Sequence, residues 1–158
     1  MTRTRLLFAA VVFAVGAVFL SFAYSQPQPA KKPPRLEPVA ETKLLMEGLA
    51  DPNTRALGKL LAAKPKDAEA WNFARGQALL LAEAGNLLLM RPPRTKAGEE
   101  AWQTHAAELR DSAAGLARAA AAKDYLQART ALAGVGNACN RCHQTFRVAV
   151  RVDPFPDQ

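Results

Sequence analysis

Prolines cut this chain into lengths that suit helices. After Pro38 they fall at Pro52, Pro65, Pro92, Pro93, Pro154 and Pro156, and the sequence between Pro38 and Pro154 is rich in Ala and Leu and poor in β-branched residues. Proline removes a backbone donor and clashes with the preceding turn, so each one marks a boundary or a kink in a helix. A first helix is expected from about Val39 to Ala50, with Asp51-Pro52 restarting or kinking it toward Ala63. Asp67 can cap a second helix that runs to Met90 and stops at Arg91-Pro92-Pro93. A third spans about Ala97 to Ala121, with Trp102, Leu109, Ala113, Leu116 and Ala120 on one side. Asp124 can cap a fourth that continues to about Val150. No strand signal or internal repeat competes, so the expected fold is all-α, an up-down-up-down four-helix bundle with short connections.

The N-terminus is of another kind. Arg3 and Arg5 precede an apolar run from Leu6 to Tyr24, and the small residues Ala23 and Ser25 have the spacing of a signal-peptidase site. Residues 1–25 therefore read as an export signal. The run is long for a cleaved signal and close to the ~20 residues that span a bilayer, so a retained anchor through residues 6–24 is the alternative. Residues 26–38 are a proline-rich tether, residues 39–152 the bundle, and residues 153–158 a short tail. Loss of residues 1–25 removes two arginines and no acid, which takes the formal charge from +7 to +5. For an exported protein a basic balance favours an acidic protein partner or an anionic membrane surface over nucleic acid, and it is also what a solvated lysine-rich face gives.

The chemistry is concentrated in "GVGNACNRCHQTFR", residues 134–147, which holds both cysteines and one of the two histidines. A dithiol redox motif shares the Cys-x-x-Cys spacing but normally lies near a βαβ unit, which this chain lacks. A structural zinc site needs four ligands, and beyond Cys139, Cys142 and His143 only His105 is left as a candidate. Covalent haem attachment uses all three residues: two thiols for the vinyl groups of the porphyrin and the adjacent imidazole for iron. At 100° per residue Leu132, Val135, Cys139, Cys142, His143, Phe146 and Val150 share one face of the fourth helix. A porphyrin against that stripe would be gripped by Leu132, Val135 and Phe146. Gly134 and Gly136 then mark either close approach to the macrocycle or a local kink.

With those residues in place, the chain resembles the class II cytochromes c, the cytochrome c′-like family, over about Val39 to Val150. The specific part is "KDYLQARTALAGVGNACNRCHQTFR", residues 123–147, with Phe146 and Arg147 three and four positions after the histidine. The resemblance implies one covalent haem c near the C-terminal end of the last helix, with Arg147 near the proximal haem face. In six-coordinate relatives a methionine of the first helix is the distal ligand, which points to Met46. An open site, or His105 or Met90, are the other choices. The resulting expectation is a non-enzymatic monohaem cytochrome of the bacterial periplasm that passes single electrons to redox partner proteins. A five-coordinate binder of nitric oxide or carbon monoxide is the alternative, and a haem-free structural or disulfide protein of the envelope a third. Relatives often form dimers, so a homodimer is also in view.

Overall fold

A computed structural model describes residues 35–93 and 95–156. The export segment and most of the proline tether lie outside the described residues. Glu37–Gln158 forms one compact unit. Among the described residues every regular element is helical: α1 (Thr42–Leu45), a π-helical turn (Met46–Ala50), α2 (Asp51–Leu61), α3 (Ala68–Leu89), α4 (Glu99–Ala121) and α5 (Tyr125–Thr145). The backbone stays helical from α1 through the π turn into α2, so these three form one rod and the described residues hold four rods.

Pro52 explains why the first rod is irregular. It has no N–H for the carbonyl four residues back and its ring crowds that turn. The helix widens over the five residues Met46–Ala50, where the Asp51 N–H reaches the Met46 carbonyl. Two buried polar side chains then bond to carbonyls of this turn: Asn53 Nδ2 donates to Leu49 O at 2.6 Å and Thr54 Oγ1 to Ala50 O at 2.8 Å. The expected restart or kink at Asp51-Pro52 takes the form of a π turn inside a continuous rod.

Asp67 and Asp124 cap α3 and α5 as expected, accepting from Ala70 N at 2.8 Å and Gln127 N at 3.0 Å. A short 3₁₀ turn, Lys96–Gly98, leads into α4. The fourth rod ends earlier than expected. Its last helical residue is Thr145, Arg147 has a φ of 56°, and Val148 N–H donates to the His143 carbonyl at 2.8 Å. That left-handed residue turns the chain around, as a glycine normally would at a helix C-terminus. Val150 is therefore not on the helical stripe.

The core is built from leucines and alanines. Leu57, Leu61, Leu81, Leu116, Leu132 and Val135 are the largest fully buried side chains, drawn from all four rods. At one end, the Trp102 indole N–H donates to Leu88 O at 2.8 Å, Arg91 Nε donates to Ala40 O at 2.9 Å, and the Trp102 and Phe146 rings meet edge to face at 5.2 Å. That end gathers the start of the first rod, the end of α3, the start of α4 and the end of α5. At the other end the Tyr125 hydroxyl and the Arg129 guanidinium donate to Leu61 O, at 3.3 Å and 2.8 Å.

Candidate functional site

Cys139, Cys142 and His143 lie in the last two turns of α5, at the end where Trp102 and Phe146 meet. Cys139 packs against the core and Cys142 is half-buried beside α4; both thiols are free. Burial pushes the Cys139 thiol up to about 11, with the neighbouring Cys142 adding to the rise. Burial also raises Cys142, helped by the Glu108 carboxylate. Both side chains are therefore neutral thiols near pH 7 in the chain as folded.

The imidazole of His143 is oriented by the returning chain. Its Nδ1 lies 2.7 Å from the Val150 carbonyl oxygen. A carbonyl only accepts, so Nδ1 carries the proton and the Nε2 lone pair is left for a metal. That second bond from a ligating histidine fixes ring orientation and raises basicity.

The remaining predicted residues fall into two sets. Leu132 and Val135 are fully buried one to two turns before the motif, on its apolar face. Phe146 is half-buried and engaged by Trp102 and, at 6.3 Å, by His105. Arg147 is exposed and forms the left-handed turn. Met46 is half-buried against the core in the π turn, on the rod whose entry is held at Ala40 by Arg91, which also donates to the Leu87 carbonyl. Met90 is the cap of α3.

His105 has partners at both ring nitrogens: Thr145 Oγ1 at 2.9 Å from Nε2 and Glu108 Oε2 at 3.4 Å from Nδ1. Glu108 is in turn paired with Arg141, and that guanidinium holds its carboxyl below the ordinary value of 4.5, with His105 contributing. Among the described residues no group of three His, Cys, Asp or Glu side chains is arranged to hold a bare metal ion. A structural zinc site on this motif would thus lack its fourth ligand.

One feature of the site was not legible in the sequence. After Val150 the chain runs back along α5 in antiparallel register. Asn140 and Val152 exchange two hydrogen bonds, Asn140 Nδ2 to Val152 O at 2.8 Å and Val152 N to Asn140 Oδ1 at 2.9 Å. Pro154 fills the space beside Gly136 and Gly58, where added Cβ atoms would lie 2.8 Å from Pro154 Cδ and 2.0 Å from Pro154 O. Arg129 covers the Phe155 ring at 4.3 Å. The close approach that Gly136 permits is therefore to proline 154 rather than to a macrocycle, and Gly134 faces open space.

The donor set fits haem c. Two free thiols stand on one helix face three residues apart, and the adjacent imidazole presents an unprotonated Nε2. Cys139 and Cys142 would hold the porphyrin and His143 the iron, with Leu132 and Val135 as apolar backing. No curated protein and no solved structure matches the chain. The family model for cytochrome C′ matches residues 92–147, from the end of the α3 connection through α4 and α5 to Arg147. Over those residues, about a third of the chain, the protein is similar to the cytochrome c′ family of c-type cytochromes.

Proposed function

We propose that this protein is an exported monohaem cytochrome that carries single electrons, folded as an up-down-up-down bundle with its haem at the C-terminal end of α5. The observation that carries the reading is His143: its Nδ1–H is engaged by Val150 O while two free thiols flank it on the same face. The pairing of the rod ends, Trp102 with Leu88 and Phe146 at one end and Tyr125 and Arg129 with Leu61 at the other, supports the bundle topology.

When bound, the haem iron supplies the one-electron couple. The chain's part is to hold and shield it: Cys139 and Cys142 tether, the Nε2 of His143 ligates, and Leu132 and Val135 exclude water from one face. Met46 is the proposed distal ligand, supported by its half-buried place one to two turns into the rod that enters at the same end. Met/His ligation raises the reduction potential and suits a carrier. Arg147 stands exposed beside the motif, where it can interact with a propionate or a partner. The arginine-tipped N-terminal apolar run supports a periplasmic location, cleaved or anchored, and the proline tether would give an anchored domain reach toward redox partners.

The test is the visible spectrum of the protein made with c-type maturation machinery. A pyridine haemochrome of the c type, lost in the Cys139→Ser/Cys142→Ser double variant, is expected; its absence from the unaltered protein sinks the reading. A ferric methionine charge-transfer band that disappears in Met46→Ala is expected for the carrier. A high-spin ferrous spectrum that shifts with carbon monoxide would instead make the protein a gas binder.

A further inference from the structure

The strap that follows α5 returns to His143, the histidine proposed as the proximal iron ligand. Its contacts step back along α5: Val150 O to His143 Nδ1, Val152 to Asn140, Pro154 to Gly136, Phe155 to Arg129. Val150 itself is exposed and anchored by little else, so what fixes its carbonyl is the turn at Arg147 on one side and the Asn140–Val152 pair on the other. A side-chain amide that both donates to and accepts from one residue's backbone imposes a single register, as a rung of a sheet does. Asn140 is one of the two variable positions between the cysteines, and no haem-binding chemistry requires an amide there.

We propose that Asn140 and the 150–156 strap are positioning elements for the proximal histidine: the amide clamps Val152 so that the Val150 carbonyl holds His143 Nδ1–H. The inference rests on the haem reading above. Its consequence is electronic as well as steric. A carbonyl that accepts from Nδ1 makes Nε2 a stronger donor, which favours ferric over ferrous iron and lowers the potential. Releasing the clamp removes that push, so the potential rises while the thioethers keep the haem in place.

The experiment uses the haem-loaded protein and reads two quantities, the midpoint potential and the solvent exchange of the His143 Nδ1–H resonance by NMR. In the unaltered protein that proton is expected to be protected. In Asn140→Ala its exchange speeds up by roughly fivefold or more, the loss of about one hydrogen bond's worth of protection, and the midpoint moves upward. Leu57→Ala, which weakens the core far from the clamp, is expected to lower Tm and leave both readings in place. A haem-loaded Asn140→Ala protein with unchanged midpoint and exchange overturns the inference. If Asn140→Ala does not fold, an unprotected Nδ1–H in the unaltered protein overturns it equally. A protein that takes up no haem at all fails at the haemochrome step, which separates loss of the haem reading from loss of this one.

Discussion

Gly58, Gly134 and Gly136 sit on helices, where glycine costs about 1 kcal/mol relative to alanine, and only their surroundings tell them apart. A methyl group at Gly58 would lie within bonding distance of the Pro154 carbonyl, with backbone on both sides and no flexible side chain to yield. Gly58→Ala is therefore expected to push the strap off its groove and lower stability by about 1–3 kcal/mol, the usual penalty of overpacking. Gly134 has nothing within 4 Å of the same added atom. Gly134→Ala should raise stability by about 0.5–1 kcal/mol, and paired thermal denaturation curves test both signs. A helical glycine announces close approach in the sequence but not what approaches. The sequence offers a macrocycle or a local kink as the reason for Gly136, and the occupant is a proline 18 positions downstream. That Cys139, Cys142 and His143 share the end of one helix follows from their spacing, whereas the hydrogen bond that orients His143 comes from a backbone carbonyl, which has no sequence signature.

The capped starts of α3 and α5 and the ends of α3 and α4 were readable and the end of α5 was not, for physical reasons. Asp67 and Asp124 cap through their own side chains, so residue type and position are enough. The ends of α4 and α5 are set by left-handed residues, and in both the residue is not glycine: Lys123 has φ 55° and Arg147 φ 56°. After α4 the Asp124 N–H bonds to the Ala119 carbonyl at 3.1 Å, closing the same loop that Val148 closes after α5. With no glycine to flag it, the turn at Arg147 was masked by an apolar pattern that continues through Val148 and Val150. A left-handed conformation costs a residue with a Cβ about 1 kcal/mol or more. Lys123→Gly is expected to stabilise the protein by about 1 kcal/mol, read as a higher midpoint in urea at unchanged m-value, because Lys123 is exposed and no tertiary contact is lost with its side chain. The π turn before α2 was likewise foreseen only as a break: Pro52 marks where the regular ladder fails, and the choice between restart and widening depends on Asn53 and Thr54 finding the Leu49 and Ala50 carbonyls.

The two ends of the bundle are held by different chemistry, and they should respond differently to acid. Where α5 begins, Tyr125 and Arg129 donate to the Leu61 backbone carbonyl. Where α5 ends, the link to α4 runs through the Glu108–Arg141 pair, with His105 joining Glu108 to Thr145 and the Cys142 thiol alongside. Arg141 holds the Glu108 carboxyl below its ordinary value of 4.5, so the folded state binds this proton less readily than the unfolded chain does. The stabilisation is then fully present above the ordinary value and disappears as pH falls through the lowered one. One third of the Glu108 side chain is exposed, so solvent screening keeps the contribution modest. Glu108→Gln is expected to be less stable than the unaltered protein at pH 7, with the gap closing as pH falls below 4.5. Hydrogen exchange across the same range should show the amides near Cys142 losing protection before those near Leu132. Equal loss of protection at both ends, or a gap that persists to low pH, would mean that the pair does not hold the motif end of the bundle. Because Val150 and His143 share that end, an early acid opening there would free the Val150 carbonyl before the core melts, and the His143 imidazole would lose its hydrogen bond while the rest of the fold still stands.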